Sequence, residues 1–321
     1  MTILKFKLII LLTSISLIYG FSSIKNKQPE SEVELGKMLF FEKKLSKDNS
    51  ISCASCHKPE YAFADTVAFS KGINGRVGFR NAPSIMNMKD RQIYFYDGRA
   101  NSLEDQVHFP IEDTLEMSLS FEIAVKKIEN DKKYKKYFLK IYGEKPTSTN
   151  IPKAIAAFER TLETSNTPFD DYMQDKENTM AESAIRGRRI FMSEKAKCFD
   201  CHFGPDLTGD EFRNIGLYNG IELIDEGRFT ITKDSSDLGK FKVPGLRNVA
   251  ITAPYMHNGM FKTLDEVINY YDNPNLVISN AINTDDLLAM PLNLSNQEKT
   301  DLKHFLESLT DKQFISNKTS R

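Results

Sequence analysis

The sequence of 321 residues contains no tryptophan, only four cysteines and five histidines, and almost no net charge. Its 43 basic and 44 acidic side chains leave a formal charge of −1 at pH 7. Nucleic-acid-binding proteins usually carry a basic patch or a high pI, so this balance argues against that class and leaves small molecules and proteins as partners. Hydrophobic residues make up 40% of the chain, which is enough for a sizeable core, and the length fits two modest domains or one large one.

Residues 1–23 have the pattern of a secretory signal peptide. Lys5 and Lys7 form a short basic start, residues 8–19 are apolar and uncharged, and small residues follow. A bilayer span needs about 20 apolar residues, so this run is a poor transmembrane helix. We therefore expect export to the periplasm, with a retained N-terminal anchor as the alternative.

The four cysteines occur in two identical arrangements. Each pair has the spacing Cys-x-x-Cys and is followed at once by a histidine, first as Cys53, Cys56 and His57 and then as Cys198, Cys201 and His202. This pentapeptide is the attachment motif of c-type haem, in which two thiols bind one macrocycle and the histidine supplies an axial nitrogen to iron.

Three other sites use similar cysteine patterns. An even cysteine count in an exported chain suggests two disulfides, and Cys-x-x-Cys pairs also occur in zinc knuckles and thioredoxin-like redox pairs. Zinc does not require a histidine at the same offset twice, and a redox pair needs only one motif. The sequence therefore predicts two covalently bound haem c groups.

A similar phrase precedes each haem motif. Residues 35–40 read LGKMLF and residues 186–191 read RGRRIF. Self-similarity of this kind indicates a duplicated unit. We predict a mainly α fold of two tandem cytochrome c-like haem domains, covering residues 24–165 and 166–321.

Several helices can be placed from their start signals. Ser102 has the pattern of an N-cap, and capping boxes begin at Thr263 and Ser295. A further helix is expected over residues 151–162, and apolar residues of the last helix should pack inward at Leu302, Phe305, Leu306 and Leu309.

The stretches between these helices lack regular patterns. Residues 59–101 and 203–262 are rich in Gly, Pro, Asn and Asp, which is typical of long loops and is expected of segments that wrap a haem. Residues 163–183 are polar and are expected to link the two domains.

Five further phrases extend the pattern beyond the haem motifs. They are Arg80-Asn-Ala-Pro-Ser84, Phe95-Tyr-Asp-Gly-Arg99, Pro110-Ile-Glu-Asp-Thr-Leu-Glu-Met117, Val243-Pro-Gly-Leu-Arg-Asn248 and Thr252-Ala-Pro-Tyr-Met-His-Asn-Gly259. In this order and spacing, the chain resembles the bacterial dihaem cytochrome c peroxidase family, which includes the MauG branch, over about residues 35–309. The resemblance implies haems near the domain interface, peroxide reacting at the N-terminal haem, and electrons arriving through the C-terminal haem.

The resemblance also assigns roles around the N-terminal haem. His57 becomes its proximal ligand and His202 that of the other haem. Glu116 falls on the family's distal acid–base glutamate, with Gln106 and Pro110 lining the same pocket. A buried carboxylate with a raised pKa can move a proton from the inner to the outer peroxide oxygen, so that water leaves. Taken alone, Glu116 lies in an acidic loop and reads as a solvated surface charge.

Calcium is implied only by the resemblance. The family binds one ion through an asparagine side chain and two backbone carbonyls, which map to Asn81, Thr252 and Pro254. These are the oxygen donors that a hard cation prefers. The resemblance also implies that His257 hydrogen-bonds a haem propionate.

The chain departs from the family pattern at three positions. Many members place a histidine in the loop after the first haem motif, where it blocks iron until the other haem is reduced, and here that position is Ile73. We therefore expect an N-terminal haem that is five-coordinate or water-bound without reductive activation. The family's tryptophan between the haems is replaced by Tyr96, which alters the energetics of any electron relay.

The third departure concerns the sixth ligand of the C-terminal haem. Peroxidases of the family use a methionine where this chain has Tyr271, and the MauG branch uses a tyrosine, whose phenolate favours ferric iron. The alternative is that Tyr270 and Tyr271 only pack, while Met260 or another methionine binds iron.

These features predict a peroxidase that reduces hydrogen peroxide to water with electrons from a small cytochrome c or cupredoxin. Two alternatives remain: a MauG-like oxidase acting on a partner protein or organic substrate, and a non-catalytic dihaem electron-transfer cytochrome. Family members are often dimers, so a homodimer is among the expected assemblies, although the sequence shows no interface.

Overall fold

A computed structural model describes residues 28–315. The expected signal peptide lies outside this range, as do the outer ends of the two expected domains. The described chain is mainly helical, which confirms the predicted class. Its α-helices are α1 (Glu32–Phe40), α2 (Leu103–Gln106), α3 (His108–Glu112), α4 (Phe121–Asn130), α5 (Lys132–Tyr142), α6 (Asn150–Glu159), α7 (Pro168–Met173), α8 (Glu182–Phe191), α9 (Phe229–Thr232), α10 (Leu264–Asp272), α11 (Asn296–Ser308) and α12 (Lys312–Ile315).

Strand structure in the described residues is confined to one short antiparallel pair. Strands β1 (Phe212–Arg213) and β2 (Phe241–Lys242) pair with Phe212 opposite Lys242. Short 3-10 turns occur between the α-helices and strands, at Lys43–Leu45, Cys53–Ser55, Pro59–Tyr61, Ile73–Gly75, Cys198–Asp200, Ser235–Asp237, Val249–Ile251, Pro274–Leu276 and Asp286–Leu288. The segments 59–101 and 203–262 are therefore largely irregular, as expected from their composition.

Two separate hydrophobic cores organise these helices. The first core is built on α1, α4, α5 and α6, with Leu39 and Phe138 fully buried. The second core is built on α8, α10 and α11, with Phe305 and Leu309 at its centre. All four apolar positions predicted to face inward from the last helix are buried.

Each core is held by a helix crossing at a glycine. In the first, a Cβ added to Gly36 of α1 would lie 1.7 Å from the carbonyl oxygen of Ala154 in α6. In the second, a Cβ on Gly187 of α8 would lie 1.9 Å from the carbonyl oxygen of Asp301 in α11. Both glycines belong to the repeated phrases of the sequence, and only hydrogen fits at these backbone contacts.

The aromatic residues beside the two crossings also correspond. Phe40 meets Phe158 edge-to-face with ring centroids 5.3 Å apart. Phe191 meets Phe305 at 5.1 Å, with a similar interplanar angle. The repeated sequence phrase therefore encodes a repeated packing unit.

The end of the described chain returns to the first core. Phe314 of α12 packs with Ala62 and Met86 in a small buried cluster. Next to it, the fully buried Asn248 donates from Nδ2 to the hydroxyl of Thr164, 2.6 Å away. The side-chain oxygen of Asn248 accepts from the backbone N–H of residue 311 at 2.8 Å. Three distant segments thus meet at one buried asparagine.

Most of the predicted helix starts are confirmed. Ser102 caps α2, and Thr263 and Ser295 form capping boxes at α10 and α11. The helix predicted over 151–162 ends earlier, at Glu159, because the Thr161 hydroxyl donates to the carbonyl of residue 158 and takes over a terminal acceptor.

Residues 163–183, which are expected to link the two domains, contain a short helix. Within them, Thr167 and Asp170 make a capping box that starts α7, with Pro168 at the first helical position.

Within residues 28–315, no helix has the length and apolar character needed to cross a membrane.

Replacing Gly36 or Gly187 by alanine should lower the free energy of unfolding by about 1–3 kcal/mol or more, because the new methyl group overlaps a backbone carbonyl. Urea unfolding measures this loss. Gly78→Ala is the matched control, since a Cβ there meets no atom within 4 Å. Equal stability of the three variants would contradict close backbone contact at the crossings.

Candidate functional site

The first haem motif forms a compact turn that orients its histidine. The 3-10 turn at Cys53–Ser55 brings the backbone N–H of His57 to the carbonyl of Cys53, 2.9 Å away. The ring Nδ1 of His57 lies 3.0 Å from the carbonyl oxygen of Phe63 and 3.2 Å from that of Pro83. Because a carbonyl only accepts, Nδ1 carries the proton, and Nε2 is left with a lone pair for a metal.

The second motif repeats this geometry. The backbone N–H of His202 donates to the carbonyl of Cys198 at 2.9 Å, and its ring Nδ1 lies 3.0 Å from the carbonyl oxygen of Leu207. Burial lowers the pKa of both motif histidines, which favours the neutral, ligating form. The two sites are therefore equally prepared to supply an axial nitrogen.

All four cysteines are unpaired thiols, so the disulfide alternative is not realised. Burial raises the pKa of the Cys56 thiol to about 11 and that of Cys198 to about 12. A thioredoxin-like pair has a lowered thiol pKa, so these thiols do not fit that chemistry. No group of three or more His, Cys, Asp or Glu side chains among the described residues could hold a metal ion by themselves, which disfavours zinc. Unpaired buried thiols beside a free imidazole nitrogen fit covalent haem.

A cavity of about 320 Å³ opens beside the first motif. Cys53, Cys56 and His57 line it together with the three residues that the resemblance assigned to the distal pocket, Gln106, Pro110 and Glu116. Residues from the other end of the chain also border it, among them Arg247, Thr252, Pro254 and Tyr255. The fold thus brings the predicted peroxide-site residues into one cavity that both cores share.

Glu116 lines this cavity, and its side chain is exposed rather than packed against other side chains. Loss of part of the bulk solvent around the carboxyl raises the pKa of Glu116 to about 7; the nearby Asp113 carboxylate adds to this rise, and the Arg99 guanidinium acts in the opposite direction. Its backbone carbonyl accepts a hydrogen bond from the N–H of Ile73 at 2.9 Å. The carboxyl can therefore exchange a proton near neutral pH.

Ile73 itself is almost fully buried and borders Glu116 through the backbone. In the same loop, a Cβ on Gly72 would lie 1.9 Å from the carbonyl oxygen of Leu115. Gly72 lines the cavity, whereas Ile73 is not among its lining residues. The loop thus packs against the Glu116 turn and offers no ligating side chain there.

Tyr96 is partly buried and lies next to a segment from beyond the second haem motif. It lines the cavity, and its backbone carbonyl accepts from the N–H of Lys242 in β2 at 2.7 Å. The adjacent Asp97 accepts from Arg80, whose guanidinium also binds both carboxylate oxygens of Asp225 at 2.7 Å. This ion-pair cluster ties the Tyr96 loop to residues beyond the second haem motif.

His257 is stacked on Phe241, with ring centroids 3.7 Å apart. Its Nε2 lies 4.0 Å from a carboxylate oxygen of Asp225, and burial lowers its pKa to about 4. The ring is therefore neutral at ordinary pH, and its assigned contact with a propionate stays a prediction.

The two adjacent tyrosines near the second motif have different surroundings. The hydroxyl of Tyr270 donates to the carbonyl of Ile215, so the Tyr270 hydroxyl is already engaged within the protein. Tyr271 is partly buried; desolvation raises its pKa most, and Tyr270 and the Cys201 and Cys198 sulfurs add to the rise. No hydrogen bond within residues 28–315 involves the Tyr271 hydroxyl.

The three oxygens assigned to calcium are free acceptors in the described structure. The side-chain N–H of Asn81 donates to the carbonyl of Val67 at 3.0 Å, which leaves its Oδ1 unused. The carbonyl oxygens of Thr252 and Pro254 accept no backbone hydrogen bond within residues 28–315. All three residues border the cavity.

One cavity residue was missed by the sequence analysis. Glu159, at the end of α6, is 5% exposed and lines the cavity. Its spacing of four residues from Ile155, within an apolar helix, is a signal for an inward-facing acid that could have been used.

Comparison with known proteins places the chain in a family. The sequence model described as di-haem cytochrome c peroxidase matches residues 30–178. The cytochrome c551 peroxidase of Nitrosomonas europaea is 36% identical over 250 residues, which cover 76% of this chain and 74% of that protein. The cytochrome c peroxidase Ccp of Escherichia coli is 39% identical over 74% of this chain, but the match spans only 52% of the longer E. coli protein.

A solved structure gives the same result across nearly the whole chain. A MauG-like protein associated with microbial copper homeostasis is 33% identical, with a TM-score of 0.78, over 91% of this chain and 93% of that one. Two haem-attachment sites on a mainly α fold define a c-type cytochrome. The chain belongs to the dihaem cytochrome c peroxidase and MauG family. The expectations of haem c cofactors and of a haem-dependent oxidoreductase are confirmed at that level.

Arg80→Met should lower the free energy of unfolding by about 3–5 kcal/mol, because it leaves the largely buried Asp225 carboxylate without its ion pair and leaves Asp97 paired only with Arg99. Thermal unfolding measures this loss. The control is Lys89→Met, which removes a pair with Glu163 that is about half exposed and is worth about 1 kcal/mol or less. A small effect at both positions would show that the cluster does not hold the Tyr96 loop.

Proposed function

We propose that this protein reduces hydrogen peroxide to water at the site beside His57, with electrons received at the site beside His202. The observation that carries the proposal is the Glu116 carboxyl, whose pKa is raised, in the same cavity as Cys53, Cys56 and His57. A simple electron-transfer cytochrome needs neither a cavity nor a proton-exchanging acid next to its haem.

In this proposal, haem c at each motif supplies an iron that exchanges electrons with peroxide or with the donor. His57, its Nδ1 held by two backbone carbonyls, directs Nε2 towards the metal. Glu116, as a carboxylate, takes the proton from the inner peroxide oxygen and returns it to the outer one, which leaves as water. Gln106 and Pro110 limit the space in which peroxide binds.

Electrons would come from a small cytochrome c or cupredoxin and pass from the second site to the first. Tyr96 lines the cavity beside the first motif and contacts Lys242, which follows the second motif, so we assign it to the path between them. Arg80 and its two carboxylates hold this loop in place.

The remaining assignments are also proposals. The two cores correspond to domains over residues 24–165 and 166–321, each carrying one haem, and the protein is exported to the periplasm. A calcium ion bound by Asn81, Thr252 and Pro254 is supported by the three unused oxygens bordering the cavity.

A MauG-like oxidation of a partner protein or organic molecule is the second candidate. It is favoured by the Tyr271 hydroxyl, which lies near Cys198 and Cys201 without a hydrogen bond among the described residues, and by Ile73 in place of a ligating side chain. Steady-state peroxide turnover with reduced cytochrome c supports the first candidate. A long-lived oxidised state without turnover supports the second.

The turnover of peroxide should depend on the ionisation of Glu116. We expect kcat/KM to rise with pH through about 7, because the group must be ionised to accept the peroxide proton. Glu116→Gln should lower kcat/KM by about 10²–10⁴-fold and remove this inflection. The control Glu122→Gln, an exposed acid on α4, should keep the wild-type profile. Full activity of Glu116→Gln would refute the assignment.

Tyr271→Phe should change the electron paramagnetic resonance signal of the C-terminal haem, because an iron ligand is removed. Tyr270→Phe should leave the signal unchanged and cost only about 1 kcal/mol of stability for its hydrogen bond to Ile215. If Tyr271→Phe keeps the wild-type signal, Met260 or another residue is the ligand. In the same spectrum, a low-spin bis-histidine signal from the N-terminal haem would contradict the role given to Ile73.

A further inference from the structure

Glu159, the last residue of α6, has a buried carboxyl without a protein partner. The residue is 5% exposed and lines the cavity that also holds His57 and Glu116. None of the side-chain hydrogen bonds and ion pairs found within residues 28–315 uses its carboxyl oxygens. Its oxygens are not among the fully buried unsatisfied atoms of residues 28–315, so they open onto the cavity, where they can bind solvent.

The adjacent Arg160 does not neutralise this acid. Its guanidinium makes a bidentate pair with Glu104 of α2, with N–O distances of 2.7 and 2.8 Å. Both terminal nitrogens of the guanidinium thus donate to the Glu104 carboxylate rather than to Glu159. Glu159 is therefore left facing the cavity.

Few charges face Glu159 from the elements packed around it. Arg160 favours its ionised form, whereas Glu104 opposes it, and burial opposes it most strongly, so that the pKa of Glu159 lies at about 8. The Glu159 charge contributes to the raised pKa of Cys53, in the first haem motif, and to that of Tyr94. The other charged side chains on the cavity wall are Arg80, Arg91, Arg99, Glu116, Asp206, Lys242 and Arg247.

We propose that Glu159 is a second proton-exchanging carboxyl of this cavity, which takes up a proton from solvent when an electron arrives at the site beside His57. The inference rests on the proposed function, in which that site binds haem c. Ferric iron adds a positive charge to the cavity and favours the carboxylate. Reduction removes that charge and favours the acid.

The step is balanced in charge and atoms. One electron from the donor reduces ferric to ferrous iron, and one proton from solvent adds to a carboxylate oxygen of Glu159, forming one O–H bond. No bond breaks, and the net charge of the cavity does not change. When peroxide reoxidises the site, the same proton is released in the cavity, where peroxide consumes two protons and two electrons to give two waters.

The test is the pH dependence of the reduction potential of the N-terminal haem, measured by spectroelectrochemistry on the holoprotein without peroxide. One proton taken up per electron lowers the potential by about 59 mV per pH unit. Glu116 also exchanges a proton in this cavity, so the effect of Glu159 is measured in the Glu116→Gln variant. That variant should keep a slope near neutral pH, and the double variant Glu116→Gln/Glu159→Gln should lose it.

Two further variants separate a proton role from a structural one. Glu159→Asp, in the same background, keeps a carboxyl and should restore the slope. Glu163→Gln, an exposed acid just beyond α6, should leave the slope unchanged. Redox-difference infrared spectra should show the carbonyl band of a protonated acid that disappears in Glu159→Gln.

The slope of the C-terminal haem serves as an internal control and should be the same in all variants. An unchanged slope at the N-terminal haem without Glu159 overturns the proposal. So does a flat profile in Glu116→Gln alone. Failure of the proposed function gives different results, namely absence of peroxide turnover in the wild type or of haem attached at Cys53 and Cys56.

Discussion

Direct backbone contact at two glycines fixes the geometry on which the rest of the structure depends. Gly36 on α1 and Gly187 on α8 each touch a carbonyl of the partner helix, so each helix pair meets at a fixed point. The haem motifs follow α1 and α8 closely in the chain, and their turns are therefore placed relative to a rigid crossing. Where side chains separate two helices, mutation shifts the contact, whereas a contact between backbones leaves little room for adjustment.

The ionisable side chains near the cavity fall into two groups. Some are neutralised by pairing, as Arg80 is by Asp97 and Asp225. Others have raised pKa values, which lie at about 7 for Glu116 and about 8 for Glu159. Paired charges hold the loops in place, whereas unpaired acids remain able to change their protonation. Different residues around the same cavity thus serve stability and proton exchange.

The sequence predicts some of these features and not others, for physical reasons. The haem motifs and capping boxes depend on contacts within a few residues, so their patterns are visible directly. Tyr270 and Tyr271 are adjacent on α10, and only the distant carbonyl of Ile215 decides which hydroxyl is engaged. Glu159 likewise depends on Arg160 turning towards Glu104, a contact between residues far apart in the chain. The role of Glu116 came from resemblance, and the fold adds its place in the same cavity as His57.

The contact of Phe314 with Ala62 and Met86 has a consequence for the order in which the protein is completed. Phe314 lies far along the chain from both of its partners. Contacts between such distant positions form late in folding, because closing a long loop has a high entropic cost. The segments around residues 62 and 86 therefore stay uncovered until α12 docks, and this small cluster is expected to be among the last parts of the structure to become ordered.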